Sequence, residues 1–312
     1  MRPFQLLIIL FFLTPLYLAG QPQSLINKGD TILYLPYQDG KATFSYKGKM
    51  GIIDSTGKII VPATFSRLNR LFDSEIGFSY RFYFDKKKQG ILDENFNIVI
   101  PVGTYDDINI LIGGFFRVKR DGKYSFVNKL GKCFDKWFDN AEDFSLGLAA
   151  VKFNDKWGFI NDKDEVVIQN IYSDAKGFSK EQLAAVKTNG KWGFIDPLGK
   201  TIIPLEYEKV TFFINNNCGV RKNGLWGYID RFNNLFIPFQ YDDAEPFFCE
   251  LALVKKDGIY GYINKKNEVI IPFQFSKAFS FYENDLLAYV KLNGKWTHID
   301  KKGNINKMSW DK

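Results

Sequence analysis

The chain carries nearly the same phrase twice, and this duplication constrains its fold more than any other feature. NGKWGFIDPLGKTIIP ends at Pro204, and NGLWGYIDRFNNLFIP ends at Pro238. Aligned on the glycine that follows the tryptophan, the pattern continues in both directions at intervals of about 34 residues. The equivalent positions are Gly51, Gly90, Ser125, Gly158, Gly193, Gly227, Gly261 and Thr297. The sequence therefore predicts eight tandem repeats over residues 41–312.

Two turn signals divide each repeat into three short strands. The first, before the tryptophan, is Asn-Gly or Asp-Gly in five repeats, and it fits a type I′ turn, whose two central residues need positive φ. The second opens with Asp or Asn. Three residues later it has a residue that tolerates left-handed backbone in every repeat except the one with Phe96. In one repeat, strands A, B and C are predicted at residues 183–187, 191–195 and 200–204.

These strands cannot be stable singly, because a three-stranded meander has an apolar face that only a neighbouring copy can bury. The aromatic content of 17% also favours strands. We predict an all-β fold of tandem three-stranded meanders in an open β-solenoid or superhelical stack, with a short fourth strand from the connector as an option. A closed eight-bladed β-propeller is the alternative, although the repeats are shorter than the usual 40–45 residues of a blade.

Glycine and proline have predicted structural roles within the repeat. Alternation in strand B places Trp192 and Phe194 on one face and Gly193 on the other. We expect a Cβ at the glycine to clash with a neighbouring aromatic ring. Proline cannot donate to a ladder, so Pro204 at the end of strand C should mark where pairing stops.

Aromatic side chains at the tryptophan position have two interpretations. They are Trp157, Trp192, Trp226, Tyr260 and Trp296. Large aromatics dominate repeat cores, so we expect these rings to pack inside the stack. The alternative is sugar stacking, which requires exposed, coplanar rings at one-repeat spacing.

Strand A ends in valine followed by a cation in six consecutive repeats. The cations are Lys119, Lys152, Lys187, Arg221, Lys255 and Lys291, and we call them the basic row. Alternation places each charge on the side opposite the valine. One interpretation is a solvated charge that protects a strand edge. The other is a shallow basic strip that binds an acidic protein or a polysaccharide.

Signals of catalysis are weak in this sequence. The only histidine, His298, occupies a position where other repeats have Phe or Tyr. No metal-binding, phosphate-binding or nucleophile motif is present, and the recurrent acids fall at turns. We therefore predict no enzyme activity, no metal and no cofactor. A hydrolase with a carboxylate pair is kept as an alternative, because such pairs need no motif.

The net charge bears on which partners the chain can bind, and the cysteine count bears on its disulfides. The net charge is +7, but the basic residues are scattered, whereas nucleic-acid binders usually gather them on one face. We therefore expect no nucleic-acid partner. Three cysteines do not make a disulfide framework. A Cys218–Cys249 bridge is conceivable, and we prefer unpaired thiols.

The N-terminus has the layout of a secretory signal peptide over residues 1–20. Arg2 precedes an apolar stretch at residues 4–18, and Ala19 and Gly20 end it. The stretch is shorter than the roughly 20 residues that a membrane-spanning helix needs. Residues 21–40 are predicted to form a lead-in strand. We thus expect an exported protein with no transmembrane segment in its mature chain, located in the periplasm, on the outer surface or in the medium.

The motif KWGFID, with a following GK and IIP, resembles the WG-repeat family, also called KWG repeats. The resemblance covers about residues 41–312 and weakens at both ends. Met50, Gln89 and Tyr124 replace the tryptophan in the first three repeats, and the last repeat reads KWTHID. It implies a non-catalytic, mostly bacterial β-repeat and supplies no active-site residues. The resulting hypothesis is an exported binding scaffold at the bacterial envelope whose partner is an unknown protein or polysaccharide. A carbohydrate or cell-wall binding module is the alternative.

Export makes a prediction of its own. Residues 1 to about 20 should be absent from the natively exported protein, because a short apolar stretch that ends in small residues is a cleavage substrate. Mass spectrometry of the exported protein measures this directly. An intact stretch at residues 4–18 would show a membrane anchor instead.

Overall fold

The structure is a computed structural model that describes residues 24–25, 32–33, 35–36, 40–54, 58–73, 77–83, 88–281 and 287–306. Every regular element in these ranges is a β-strand, which confirms the predicted all-β repeat fold. The chain divides into an N-terminal unit, Met1–Cys133, and a C-terminal unit, Phe134–Lys312. The predicted signal peptide at residues 1–20 lies outside the described ranges.

The N-terminal unit contains a two-stranded ladder and three antiparallel sheets. The ladder pairs β1 (Ser24–Leu25) with β2 (Ile32–Leu33). Sheet 1 has the strands β3 (Leu35–Pro36), β4 (Lys41–Tyr46), β5 (Lys49–Asp54) and β6 (Ile59–Phe65). Sheet 2 has β7 (Arg67–Asp73), β8 (Gly77–Tyr83), β9 (Gln89–Leu92) and β10 (Ile98–Ile100). Sheet 3 has β11 (Asp107–Ile112), β12 (Phe115–Arg120) and β13 (Lys123–Asn128).

The C-terminal unit contains sheets 4 to 8, each with four antiparallel strands. Sheet 4 has β14 (Asn140–Ala141), β15 (Leu148–Phe153), β16 (Lys156–Asn161) and β17 (Val166–Tyr172). Sheet 5 has β18 (Asp174–Ala175), β19 (Ala184–Thr188), β20 (Lys191–Ile195) and β21 (Thr201–Tyr207). Sheet 6 has β22 (Lys209–Val210), β23 (Asn217–Lys222), β24 (Leu225–Asp230) and β25 (Leu235–Tyr241). Sheet 7 has β26 (Asp243–Phe248), β27 (Leu251–Lys256), β28 (Ile259–Ile263) and β29 (Val269–Phe275). Sheet 8 has β30 (Lys277–Ala278), β31 (Leu287–Leu292), β32 (Lys295–Asp300) and β33 (Ile305–Asn306).

The sheets are four-stranded meanders rather than the predicted three-stranded ones, except for sheet 3. The extra strand comes from the connector, the option that the sequence left open. It pairs with strand A, so the order across a sheet is connector strand, A, B and C. In sheet 1 the lead-in segment supplies it, since β3 pairs with β4.

The hairpin between strands A and B has the predicted backbone. Asn189 has φ of 50° and Gly190 has φ of 77°, and Asn223 and Gly224 repeat these values within a few degrees. Both central residues are therefore left-handed, as a type I′ turn requires.

The turn between strands B and C is built on the side chain of its first residue. In sheet 6, Asp230 Oδ1 accepts hydrogen bonds from the backbone N–H of Phe232 and of Asn234, at 2.8 and 2.9 Å. Asn234 Nδ2 donates to Asp230 Oδ2 at 2.8 Å. Phe96, the one residue that broke the pattern, nevertheless adopts the same left-handed backbone, with φ of 68°. The turn geometry therefore overrides the poor preference of phenylalanine for this conformation.

The glycine after the tryptophan lies opposite a bulge in strand C. Trp192 pairs with Tyr207 and Phe194 pairs with Ile203, so Gly193 alone faces the three residues at 204–206. A Cβ on Gly193 would lie 2.5 Å from the carbonyl oxygen of Ile203. Bulges of this kind bring two backbones together where only glycine fits.

Two sequence predictions about this region need correction. The clash with an aromatic ring occurs at Gly51, Gly90 and Gly261 but is wrong for Gly158, Gly193 and Gly227, where backbone atoms are in the way. Pairing also does not stop at the proline of strand C. Pro204 is exposed inside the bulge, where its missing N–H costs no ladder bond, and pairing resumes at Tyr207.

Consecutive sheets of the C-terminal unit pack with unlike faces together. The aromatic face of sheet 4, with Trp157 and Phe159, covers Val186 and Ile195 of sheet 5. The same contact recurs between sheets 5 and 6, 6 and 7, and 7 and 8. Each interface buries large apolar side chains, worth roughly 1.5–3 kcal/mol apiece before entropy is counted.

A phenylalanine from each connector completes these interfaces. Phe178 of sheet 5 packs on Phe159 of sheet 4, with ring centroids 5.0 Å apart. The pairs that repeat this contact are Phe194–Phe213 at 4.8 Å, Tyr228–Phe247 at 4.8 Å and Tyr262–Phe281 at 5.1 Å. The sequence analysis missed this pair, although its constant separation along the chain was a usable signal.

The bulge predicts which buried glycines tolerate a methyl group. Gly193→Ala should lower the free energy of unfolding by about 1–3 kcal/mol, because the backbone must move to accept the Cβ. Gly219→Ala is the matched control, since its Cβ meets the Thr211 side chain at 3.2 Å and the same position holds Ala150 and Ala185. Urea denaturation of both variants measures the difference. Equal effects would show that the bulge is not tightly packed.

The B–C turn predicts a compensating pair and a pH dependence. Partial burial opposes ionisation of Asp230, but hydrogen bonds from Asn234 and Phe232 outweigh it and hold the pKa of the Asp230 carboxyl below its usual value. Asp230→Asn should destabilise by about 0.5–1 kcal/mol at pH 7. This difference should vanish as the pH falls through the folded-state pKa of Asp230, because a depressed carboxyl pKa stabilises only above that range.

Asn234→Glu should rescue Asp230→Asn, since Asn264 Nδ2 donates to Glu268 Oε2 at 2.6 Å in the equivalent turn of sheet 7. Denaturation of the two single variants and the double variant, at pH 7 and at low pH, measures the coupling. Strictly additive effects at pH 7 would contradict it.

Candidate binding surface

The residues of the basic row occupy one register position in their sheets. Each cation pairs across strands A and B with the residue at the tryptophan position, so the two side chains share a face. The pairs are Lys119–Tyr124, Lys152–Trp157, Lys187–Trp192, Arg221–Trp226, Lys255–Tyr260 and Lys291–Trp296. All six cations are half-buried. The row is therefore regular, and each member lies against the sheet rather than extending freely into solvent.

Three cations of the row lie over the ring that they pair with. Lys119 Nζ is 5.1 Å from the centroid of Tyr124, Lys187 Nζ is 5.4 Å from that of Trp192, and Lys255 Nζ is 5.3 Å from that of Tyr260. Such contacts contribute about 0.5–1 kcal/mol at exposed sites. They also fix the direction of the side chain.

Two other members have acidic neighbours. Lys152 Nζ lies 2.9 Å from Asp155 Oδ1. Arg221 Nε donates to the carbonyl oxygen of Gly224 at 3.0 Å and lies 3.9 Å from Glu208 Oε2. Exposed ion pairs contribute only about 0–1 kcal/mol, so these charges remain available to an external anion.

The sequence analysis missed a further polar position. It lies directly after the aromatic residue that precedes each connector strand, such as Tyr207 before β22. Its backbone N–H donates to the carbonyl of the basic-row residue, as Glu208 does to Arg221 at 2.9 Å. When this residue is acidic, its carboxylate can cap the A–B hairpin: Asp242 Oδ2 accepts from Gly258 N–H at 3.0 Å. The signal was its constant place directly after the aromatic. It holds Asp106, Asp139, Ser173, Glu208, Asp242 and Ser276. The row is therefore flanked by acids in four repeats and by serine in repeats 5 and 8.

The tryptophan-position rings are mainly core residues, as expected. Trp157 and Trp226 are 6% and 7% exposed, and Trp192 and Tyr260 are half-buried against the inter-sheet clusters. Trp296 in the last sheet differs, because it is 37% exposed. Sugar stacking at one-repeat spacing thus has no exposed rings to use at the four central positions.

The three cysteines form no disulfide. Cys218 is buried, and burial raises the pKa of its thiol to about 12, although hydrogen bonds with Thr211 oppose the shift. It therefore stays protonated and acts as a small apolar residue.

His298 pairs with Tyr289 in sheet 8 at the position where other sheets have Phe or Tyr. Among the described residues, no group of three or more His, Cys, Asp or Glu side chains is placed to hold a metal ion. Nor does the described part of the chain contain a helix of the length and apolarity needed to cross a membrane.

Comparison with protein families gives one match, which is described as a WG containing repeat. It covers residues 50–76, 90–124, 138–157, 157–192, 192–226, 226–258 and 260–296. Three of these stretches, 157–192, 192–226 and 260–296, run from one tryptophan position to the next. A comparison with curated proteins finds no match.

Solved structures resemble this chain at low sequence identity. A eukaryotic initiation factor is 10% identical with a TM-score of 0.51, over 92% of this chain and 90% of that chain. Hsv2 of Kluyveromyces lactis is 13% identical with a TM-score of 0.37, over 89% of this chain and 98% of that one. The extracellular domain of a one-component system from B. thetaiotaomicron is 10% identical with a TM-score of 0.38, over 92% and 55%. Only the first likeness supports a conclusion, and that conclusion concerns the fold.

Proposed function

The chain belongs to the WG-repeat family, and from this premise we propose that it is an exported, non-enzymatic binding scaffold at the bacterial envelope. Its task is to present a long, regular surface to an acidic protein or an acidic polysaccharide. Export rests on the signal-peptide layout of residues 1–20.

The observation that carries the proposal is the fixed register of the basic row. In the C-terminal unit, five consecutive sheets place a cation at the same point of the A–B pair. Packed sheets are about 10 Å apart, so the charges recur at a comparable spacing. A polyanion can therefore contact several of them at once. Individually weak contacts then add up through effective concentration.

The non-enzymatic part of the proposal rests on what the recurrent acids do. The first residue of each described B–C turn, such as Asp196, accepts two backbone N–H groups within its own turn. Asp242 is used in the same way at an A–B hairpin. Acids committed to backbone bonds are poorly placed to exchange protons with a substrate. A hydrolase remains the third candidate, since a carboxylate pair needs no repeat.

The second candidate, a carbohydrate or cell-wall binding module, is favoured by one specific observation. Sheet 8 exposes Phe279, Tyr289 and Trp296 together, whereas the other tryptophan-position residues of the C-terminal unit are buried or half-buried.

The scaffold proposal predicts a shared electrostatic contribution. The probes are immobilised poly-glutamate and polygalacturonate, which carry similar charge on a peptide and on a glycan. Replacing Lys152, Lys187, Arg221 and Lys255 together by Gln should strongly weaken retention on both at low salt. The difference from wild type should be much smaller near 1 M salt, where the Debye length is about 3 Å.

The matched control replaces Lys163, Lys200, Arg231 and Lys266 by Gln. These exposed cations lie at the B–C turns, so the control removes the same charges from another part of each repeat. It should keep most of the retention. Equal loss in the two quadruple variants would reduce the effect to net charge and contradict the proposal. Circular dichroism should show that both variants fold, since exposed charges change stability by only about 0.5 kcal/mol each and the cation–π contacts of Lys187 and Lys255 contribute only about 0.5–1 kcal/mol each.

A further inference from the structure

The last sheet departs from the repeat at three positions of one face. Tyr289 stands where other sheets of the C-terminal unit have small or aliphatic residues, and Phe279 stands where they have polar ones. The residues equivalent to Tyr289 are Ala150, Ala185, Gly219 and Leu253, and those equivalent to Phe279 are Glu142, Lys176, Thr211 and Glu245. His298 replaces a large ring in the same sheet. Sheet 8 has therefore exchanged small and polar side chains for aromatic ones.

These side chains form a compact set of parallel rings. The Tyr289 and Trp296 centroids are 4.6 Å apart with planes 11° apart. Phe279 lies 6.5 Å from Tyr289 and 5.9 Å from Trp296, with plane angles of 16° and 26°. His298 packs on Tyr289 at 4.8 Å. We call Phe279, Tyr289, Trp296 and His298 the aromatic cluster.

The aromatic cluster is open to solvent. Phe279 is 52% exposed, Tyr289 40% and Trp296 37%, whereas Trp226 in the equivalent place of sheet 6 is 7% exposed. In sheets 4 to 7 this face packs on the next sheet of the unit. Sheet 8, the last sheet that the structure describes, keeps its rings at the surface. Exposed apolar patches of this kind mark binding sites.

The same face carries two neighbouring lysines. Lys277 pairs directly with Lys291 across β30 and β31, an arrangement that is unfavourable for two like charges. The acid that neighbours the row in four other repeats is Ser276 here, and its hydroxyl donates to the Lys291 carbonyl at 3.3 Å. In the part of the chain that the structure describes, neither lysine forms an ion pair. Two cations held side by side, with no ion pair among the described residues, favour binding of an external anion.

We propose that this face of sheet 8 binds an acidic polysaccharide, with sugar rings stacked on the aromatic cluster and a sugar carboxylate between Lys277 and Lys291. The inference rests on the proposed function and specifies its ligand. A pyranose ring has a C–H face that packs on the electron-rich face of an aromatic ring. A uronic acid combines that face with a carboxylate, so it matches both halves of the site.

Other occupants fit the face less well. In a two-fold contact with a second copy, each Lys277–Lys291 pair faces the same patch of the other chain, so the contact gains no opposite charge. Single-stranded nucleic acid also stacks on aromatic rings, but its binding sites follow the backbone along a basic groove over several nucleotides. Here the exposed ring cluster is confined to sheet 8, so it offers no series of stacking positions along the basic row.

The test uses a double variant built from residues that the repeats already tolerate. Tyr289→Ala copies Ala150 and Ala185, and Phe279→Thr copies Thr211, so the sheet should fold. The control removes two exposed aromatics elsewhere, Phe212→Ala with Phe232→Ala, which are 56% and 73% exposed. Calorimetric titration measures the Kd of each protein for polygalacturonate, poly-glutamate and single-stranded DNA.

The aromatic double variant should lose roughly tenfold in affinity for polygalacturonate. It should keep its affinity for poly-glutamate within about twofold, because the basic row is untouched. Lys277→Gln with Lys291→Gln should also weaken polygalacturonate binding, and the control should match wild type.

Three results would overturn the inference. The first is an unchanged Kd for polygalacturonate in the aromatic double variant. The second is that wild type binds single-stranded DNA more tightly than polygalacturonate and that this affinity depends on the cluster. The third is that wild type is a dimer and the double variant is a monomer. If wild type binds neither polymer, the scaffold proposal fails as well. If wild type binds both polymers and the aromatic double variant binds polygalacturonate as tightly as wild type does, the scaffold proposal stands and only this inference fails.

Discussion

The structure depends on one contact, in which the aromatic face of a sheet covers the aliphatic face of the next. Trp157 and Phe159 illustrate it by packing on Val186 and Ile195. A single meander cannot form this contact with itself, so each repeat is stable only beside another. Because the two faces differ, the stacking has a direction along the chain. The difference between the two faces also makes the outermost face of any stack unlike the faces that pack inside it.

Close approach of backbones within each sheet makes this contact regular. Gly193 lets the bulge of β21 fold over strand B, and pairing then resumes at Tyr207. Tyr207 reaches the next sheet, where its hydroxyl donates to Asn233 Oδ1 at 2.7 Å. The absence of a side chain at Gly193 thus positions the Tyr207 ring, which connects two sheets through its hydrogen bond to Asn233 in the turn of the second sheet.

Because the buried residues are used for packing, binding in the proposed function falls to side chains that face outward. The basic row arises because a cation follows a buried valine in six consecutive sheets, and alternation puts it on the opposite face. In three of these sheets the cation lies over an aromatic ring that fixes its direction. The aromatic cluster of sheet 8 arises where aromatic side chains that stay exposed replace the small and polar residues of the other sheets. The two surfaces are complementary, since the row supplies charge over several repeats and the cluster supplies shape at one place.

The sequence by itself determined the repeat, the strands, both turns and the core role of Trp157 and Trp226, because each depends on local backbone preference or on alternation. Asn189-Gly190 dictates its hairpin wherever it stands. Tertiary structure decided the rest. It placed backbone rather than a ring against Gly193, it carried pairing past Pro204, and it left Trp296 exposed while Trp226 is buried. These outcomes depend on which strand or sheet lies opposite a residue, and local sequence does not encode that neighbour.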